Sequence, residues 1–194
     1  MRRLALAIAA SVIAAACSSS TPAGPGPIAA GSTSAADDKP STGVVKNWVT
    51  HLIGEEEVPP RETRAQGEAK FQLSADGSVM SYQLISSNID NVVQAHIHVG
   101  PVGCQCPISV FLYGAVAAGG GPQNGLLASG EFSTADIINA NLTGVSTLAE
   151  LVAQMDAGNT YVNVHTNDGV SPTNTGPGDF PGGEVRGQIE RAGH

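Results

Sequence analysis

The sequence predicts an all-β domain, a sandwich or barrel of short strands with one or two short helices between the late strands. Three observations carry this. The 194-residue chain holds 24 Gly and 12 Pro, which cut it into short pieces. Those pieces alternate apolar and polar residues with period two, the signature of a half-buried strand. A helical period emerges only near residues 147–157.

Val44 to Ile53 reads as the first strand. Gly54-Glu-Glu-Glu-Val-Pro-Pro60 is a loop, because paired prolines cannot donate to a central ladder. Its acidic run, Glu55 to Glu57, reads as solvated. Glu68 to Leu73 puts Ala69, Phe71 and Leu73 on one face; Val79 to Ile85 does the same with Met80, Tyr82 and Leu84. The turn signal Ala75-Asp76-Gly77 between them makes residues 67–86 a hairpin.

Val92 to Val99 is the next strand, apolar at Val93, Ala95, Ile97 and Val99 and polar at Gln94, His96 and His98. Ile108 to Tyr113 reads as a buried strand, residues 114–125 as a Gly-rich loop, and Leu126 to Phe132 as a strand. Ser133 or Thr134 can cap a short helix running to Asn139. Thr147 and Glu150 have capping-box spacing. Leu148, Leu151, Val152 and Met155 then share a helical face, and Gly158 is placed to end the helix. Thr160 to Thr166 is a strand. After a loop of Gly, Pro, Asn and Asp, Glu184 to Glu190 is the last, with Val185 and Ile189 inward.

The N-terminus has a different character. Arg2 and Arg3 precede an apolar run from Leu4 to Ala16, too short for a bilayer span and of signal-peptide size. Ala14-Ala15-Ala16-Cys17 resembles the lipobox of bacterial lipoproteins. In that reading Cys17 is acylated and becomes the mature N-terminus, and the alternative is an ordinary signal peptide cut near Ala16. Residues 17–42 form a tether of Ser, Thr, Pro, Gly and Ala, too poor in large apolar groups to offset ordering entropy. The expected organisation is a signal peptide at 1–16, a lipidated cysteine and tether at 17–42, and one domain at 43–194. The expected location is the bacterial cell envelope, exported and anchored to membrane through lipid.

Without Arg2 and Arg3, seven basic residues stand against 17 acidic ones. So acidic a chain, with no basic cluster, argues against a nucleic-acid partner. It favours cations as small partners.

Side chains two apart on a strand share a face about 6.5–7 Å apart. His96 and His98 therefore can lean onto one ion, whose bonds to imidazole nitrogen are about 2.0–2.1 Å. His165, in matching phase on the strand Thr160–Thr166, is the candidate third ligand. Copper and zinc suit imidazole. Without an ion, the same strip can form a hydrogen-bonded network with Asn163, Glu184 and Arg186. Glu184 and Arg186 can also pair as a surface ion pair, worth little. Cys104 and Cys106 stand six residues and more past His98. They pair as a disulfide in an oxidising compartment, or as thiolates are weaker candidate ligands for soft copper or zinc. No nucleophile elbow and no phosphate-cradling glycine motif is present.

Four separated motifs carry a family resemblance. They are Glu57-Val-Pro-Pro60; Ala95-His-Ile-His98 with Gly100-Pro101 and Gly103; Gly158-Asn-Thr-Tyr-Val-Asn-Val-His-Thr166; and Pro181-Gly-Gly-Glu-Val-Arg-Gly-Gln-Ile189. In this order, over residues 46–190, they resemble the CHRD domain, named for chordin and found alone in many bacterial exported proteins. The resemblance implies a Greek-key β-sandwich similar to immunoglobulin or superoxide dismutase architecture. It implies no settled activity. Cys104-Gln-Cys106 departs from the family, standing where Asn-Gly is expected. His-Ile-His and Val-Asn-Val-His-Thr-Asn-Asp also resemble the copper-ligand strands of copper-zinc superoxide dismutase. The bridging histidine and zinc loop have no counterpart, so a single metal site is the most this likeness implies. The sequence thus points to a non-enzymatic, membrane-anchored binding module. The alternatives are a metal-dependent redox enzyme of superoxide-dismutase-like type and a structural or adhesive surface domain.

Overall fold

The computed structural model describes residues 45–193. The signal peptide, Cys17 and most of the tether expected above lie outside these residues. The described chain forms β1 (Asn47–Ile53), β2 (Gln66–Leu73), β3 (Val79–Asp90), β4 (Val92–Val99), β5 (Ile108–Gly114), β6 (Pro122–Ser133), α1 (Ala140–Thr143), α2 (Leu148–Asp156), β7 (Thr160–Thr166), β8 (Val185–Gln188) and β9 (Glu190–Arg191). The strands make one antiparallel sheet in the order β5-β4-β7-β8-β1-β2-β3-β6, with β9 also paired to β1. The sheet curls until its ends approach. Tyr82 on β3, the neighbour of end strand β6, donates its hydroxyl proton to the Leu112 carbonyl of β5 at 2.7 Å. The all-β expectation holds, in a sheet nearly closed on itself.

The core fills the curl. Trp48, Leu52, Ala69, Phe71, Met80, Leu84, Ala95, Ile97, Val110, Leu112, Val162, Val164, Val185 and Ile189 are buried there. Removing a large side chain of this kind from water is worth about 1.5–3 kcal/mol. Helix α2 closes one end with Leu148, Leu151, Val152 and Met155. Its start is set by reciprocal capping. Glu150 N–H donates to the Thr147 hydroxyl, and the Glu150 carboxylate accepts from Thr147 N–H. Gly158, at φ 71°, ends it by donating to the Met155 carbonyl.

Several boundaries differ from the sequence pattern. Strand β3 runs on to Asp90 across two irregularities, because β6 begins at Pro122 and pairs with it along its whole length. The helix expected at 133–139 is instead a single 3-10 turn, Thr134–Asp136, capped by Ser133, with α1 following from Ala140. The last strand is interrupted at Ile189, whose N–H donates to Thr160 on β7 while Glu190 moves to β1. Phe111, in the strand read as buried, is 43% exposed.

Strands β3 and β4 are consecutive yet do not pair. Asn91 makes the corner at φ 54°, a left-handed position that asparagine tolerates. Its side chain accepts from Gly121 N–H and donates to the Gly178 carbonyl, tying three loops together. This corner carries the chain across the curl and lays β4 beside β7.

Candidate metal centre

Ala95 and Ile97 on β4 and Val162 and Val164 on β7 are fully buried in the core. With side-chain period two, this turns His96, His98, Tyr161, Asn163 and His165 to the opposite face. The register sets His98 against Tyr161, His96 against Asn163, and Gln94 against His165. That face is not open to solvent: His96 is 0% exposed, His98 6% and His165 7%. Three segments cover it, around Glu57, Cys106 and Pro181.

The three imidazoles converge. One donor nitrogen from each lies within 4.8 Å of the others. His96 Nδ1 is 3.2 Å from His165 Nε2. His98 Nε2 and His165 Nε2 each lie 2.9 Å from Asn163 Oδ1. On their outer sides, His98 Nδ1 meets the Cys106 carbonyl at 2.6 Å and His165 Nδ1 meets the Pro181 carbonyl at 2.8 Å. A carbonyl only accepts, so both Nδ1 atoms carry the proton. In the neutral rings both Nε2 lone pairs then point inward, the orientation that backbone carbonyls impose on metal-ligating histidines. His96 packs edge-on against Phe111 at 4.4 Å, and its Nε2 has no hydrogen-bond partner.

Burial keeps these rings neutral. His96 is pushed down to about 3, first by burial and then by His165 and His98. His98 is pushed down to about 4 by burial, which outweighs the opposing hydrogen bond to Cys106. Burial also lowers His165, against its bond to Pro181. Imidazole must shed its proton to bind an ion, and here that cost is already met in the fold.

A cavity of about 220 Å³ adjoins His98 and His165 and is also walled by Glu57, Tyr161, Asn163 and Arg186. The acidic run read as solvated is not so at Glu57, which is 5% exposed. Its carboxyl rises to about 7 through burial, against the pull of Arg186, the Val58 N–H, Arg61 and the Asn163 amide. A Cβ at Gly183 would collide with this carboxylate, so glycine there makes its room. Stacked with the Tyr161 ring are the His98 imidazole at 4.6 Å and the Arg186 guanidinium at 3.4 Å.

Arg186 and Glu184 are not a surface pair. They are 2% and 0% exposed. Arg186 donates to the Cys104 carbonyl at 2.6 Å and to Pro101 at 3.4 Å. Glu184 accepts from Thr63, Thr166 and the Gly178 N–H, apart from the histidines. Cys104 and Cys106 form a disulfide with Cα atoms 5.3 Å apart, so neither offers a thiolate in this state. Their loop contributes backbone instead. Cys106 N–H donates to the Tyr161 hydroxyl at 3.0 Å, while its carbonyl holds His98. Gln105 crosses the cavity mouth and donates to the Val58 carbonyl.

The sequence reading missed Glu57 and Tyr161 as parts of the site. Glu57 had one signal: the rigid Val-Pro-Pro after it, in a chain that later supplies Gly182-Gly183. No curated protein and no solved structure matches the chain. The family scan does: the CHRD domain matches residues 48–189, which takes in β1 from Trp48 on, the Glu57 loop, His96, His98, His165, Asn163 and Arg186. The curled sheet and its buried histidine face are therefore those of a CHRD domain, and the chain belongs to that family.

Proposed function

We propose that this protein is an exported CHRD binding module, anchored to the cell envelope through Cys17, that takes up a copper or zinc ion through His96, His98 and His165. The observation that carries the reading is the fixed orientation of His98 and His165. Their Nδ1 protons are committed to backbone carbonyls, and their Nε2 lone pairs face one point together with His96 Nδ1. Neutral imidazole nitrogens at this spacing suit borderline divalent ions. The acidic balance of the chain supports cation recruitment.

The test is metal analysis and titration of the purified domain with Zn(II) and Cu(II), alongside His96→Ala. One tightly held ion per chain, lost in the variant, is the expected result. A folded domain that takes up no ion would leave the structural or adhesive reading. A redox enzyme is favoured by one observation only, the cavity beside His98 and His165. Superoxide or peroxide turnover above that of the free ion would establish it.

A further inference from the structure

Asn163 Oδ1 lies 2.9 Å from two histidine nitrogens that have no proton to give it. His98 has an acceptor at each end, the Cys106 carbonyl at 2.6 Å and Asn163 Oδ1 at 2.9 Å. His165 is in the same position, between the Pro181 carbonyl at 2.8 Å and Asn163 Oδ1 at 2.9 Å. A neutral imidazole carries one N–H and satisfies one end only. Two more protons would make two adjacent buried imidazolium ions, which burial and their mutual repulsion oppose. The only neutral donor within the group is a proton on His96 Nδ1, and it can serve a single partner, His165. The contact between His98 and Asn163 then still has lone pairs on both sides.

One bound cation resolves every one of these contacts, because it turns facing lone pairs into converging donors. We infer that the amide oxygen of Asn163 is a fourth donor to the cation, completing a three-nitrogen, one-oxygen set. The inference rests on the cation reading above. Its geometry is independent of loops: Asn163 and His165 are two apart on β7, and Asn163 stands directly opposite His96 on β4. Asn163 also walls the cavity beside His98 and His165, together with Glu57. A set of imidazoles with one amide oxygen, all neutral, suits divalent zinc or copper better than soft monovalent copper, which prefers sulfur.

The experiment compares Asn163→Leu and Asn163→Asp with the unaltered protein. Zn(II) affinity is read by chelator competition, and the ligand set by the visible spectrum of Co(II) in the same site. Leucine keeps the volume without a donor, so affinity should fall about tenfold or more, the scale seen when residues supporting a metal site are lost. The Co(II) bands should change with it. Aspartate keeps an oxygen there and should restore affinity to at least the original. Unchanged affinity and spectrum in Asn163→Leu would overturn the inference while leaving the histidine site standing. Failure of the unaltered protein to bind, or binding unaffected by His96→Ala, would sink both. Should Asn163→Leu not fold, judged by far-ultraviolet circular dichroism, Asn163→Asp decides alone. Weaker binding with the original spectrum would then overturn the fourth donor.

Discussion

His96 Nδ1 lies 3.2 Å from His165 Nε2 across 69 residues of sequence. No local feature creates this contact. It arises because the corner at Asn91 lays β4 against β7 and because His165 stands diagonal to His96 in that pairing. Diagonal neighbours in an antiparallel pair are within reach of ring side chains.

Ion binding should be visible as stability. With free Zn(II) at a hundred times its dissociation constant, unfolding should become harder by about 2.7 kcal/mol. Chelator should reverse the gain, and His165→Ala should abolish the ion-dependent part. Denaturant unfolding with and without ion measures this. A gain that survives in His165→Ala would place the ion elsewhere.

Acid should weaken the ion-free domain. His96 and His98 are lowered from 6.5 to about 3 and about 4, so below pH 6.5 the unfolded chain takes up protons that the folded one refuses. Stability is then lost as pH falls. Glu57 acts in the opposite sense. Raised from 4.5 to about 7, it favours folding at low pH and loses that contribution as pH rises between those values. The histidines outnumber it, so stability should decline as pH falls from 6.5 toward 4, and the decline should level off below that as His98 and then His96 take up protons in the folded state too. Urea unfolding at pH 7, 5.5 and 4 would show it, and His98→Phe should flatten the slope.

Gly183→Ala should destabilise the domain by about 1–3 kcal/mol, because φ there is 123° and the added carbon strikes Glu57. Gly182→Ala next to it should stay within about 0.5 kcal/mol, since its Cβ would meet nothing closer than Arg61 at 3.6 Å. Thermal unfolding of the two variants checks the contrast.

Removing the disulfide through Cys104→Ser with Cys106→Ser should leave a folded domain with ion affinity lowered about 10–100-fold. The loop it closes supplies the carbonyl that orients His98 and the one that holds Arg186. Titration of the double variant against the parent reads the effect. Equal affinity would mean that β4 alone holds His98 in place.

The strands were legible because alternation records one buried face. Ala95, Ile97, Val162 and Val164 mark β4 and β7 in this way, and the same alternation put the three histidines in phase. The capping residues of α2 were legible for a similar reason, since Thr147 and Glu150 act within one turn. Partner choice among strands was not. That β8 and β9 divide their pairing between β7 and β1, or that β6 follows β3 to Asp90, depends on how the sheet closes. The burial of Glu57, Glu184 and Arg186 was hidden too, because charged residues in alternating strands look solvated until the loops that cover them are placed. The carbonyls of Cys106 and Pro181, which orient two of the rings, are backbone atoms and leave no mark on residue identity.

The histidines hang on the outside of the barrel-like curl, separated by a sheet's thickness from the residues packed within it. Chemistry and scaffold are thereby decoupled. The apolar filling can be re-tailored without disturbing the imidazoles, and the imidazoles can be exchanged for other donors without hollowing the filling. Such an arrangement makes the domain a chassis on which the chemistry of one face can change while the architecture beneath stays as it is.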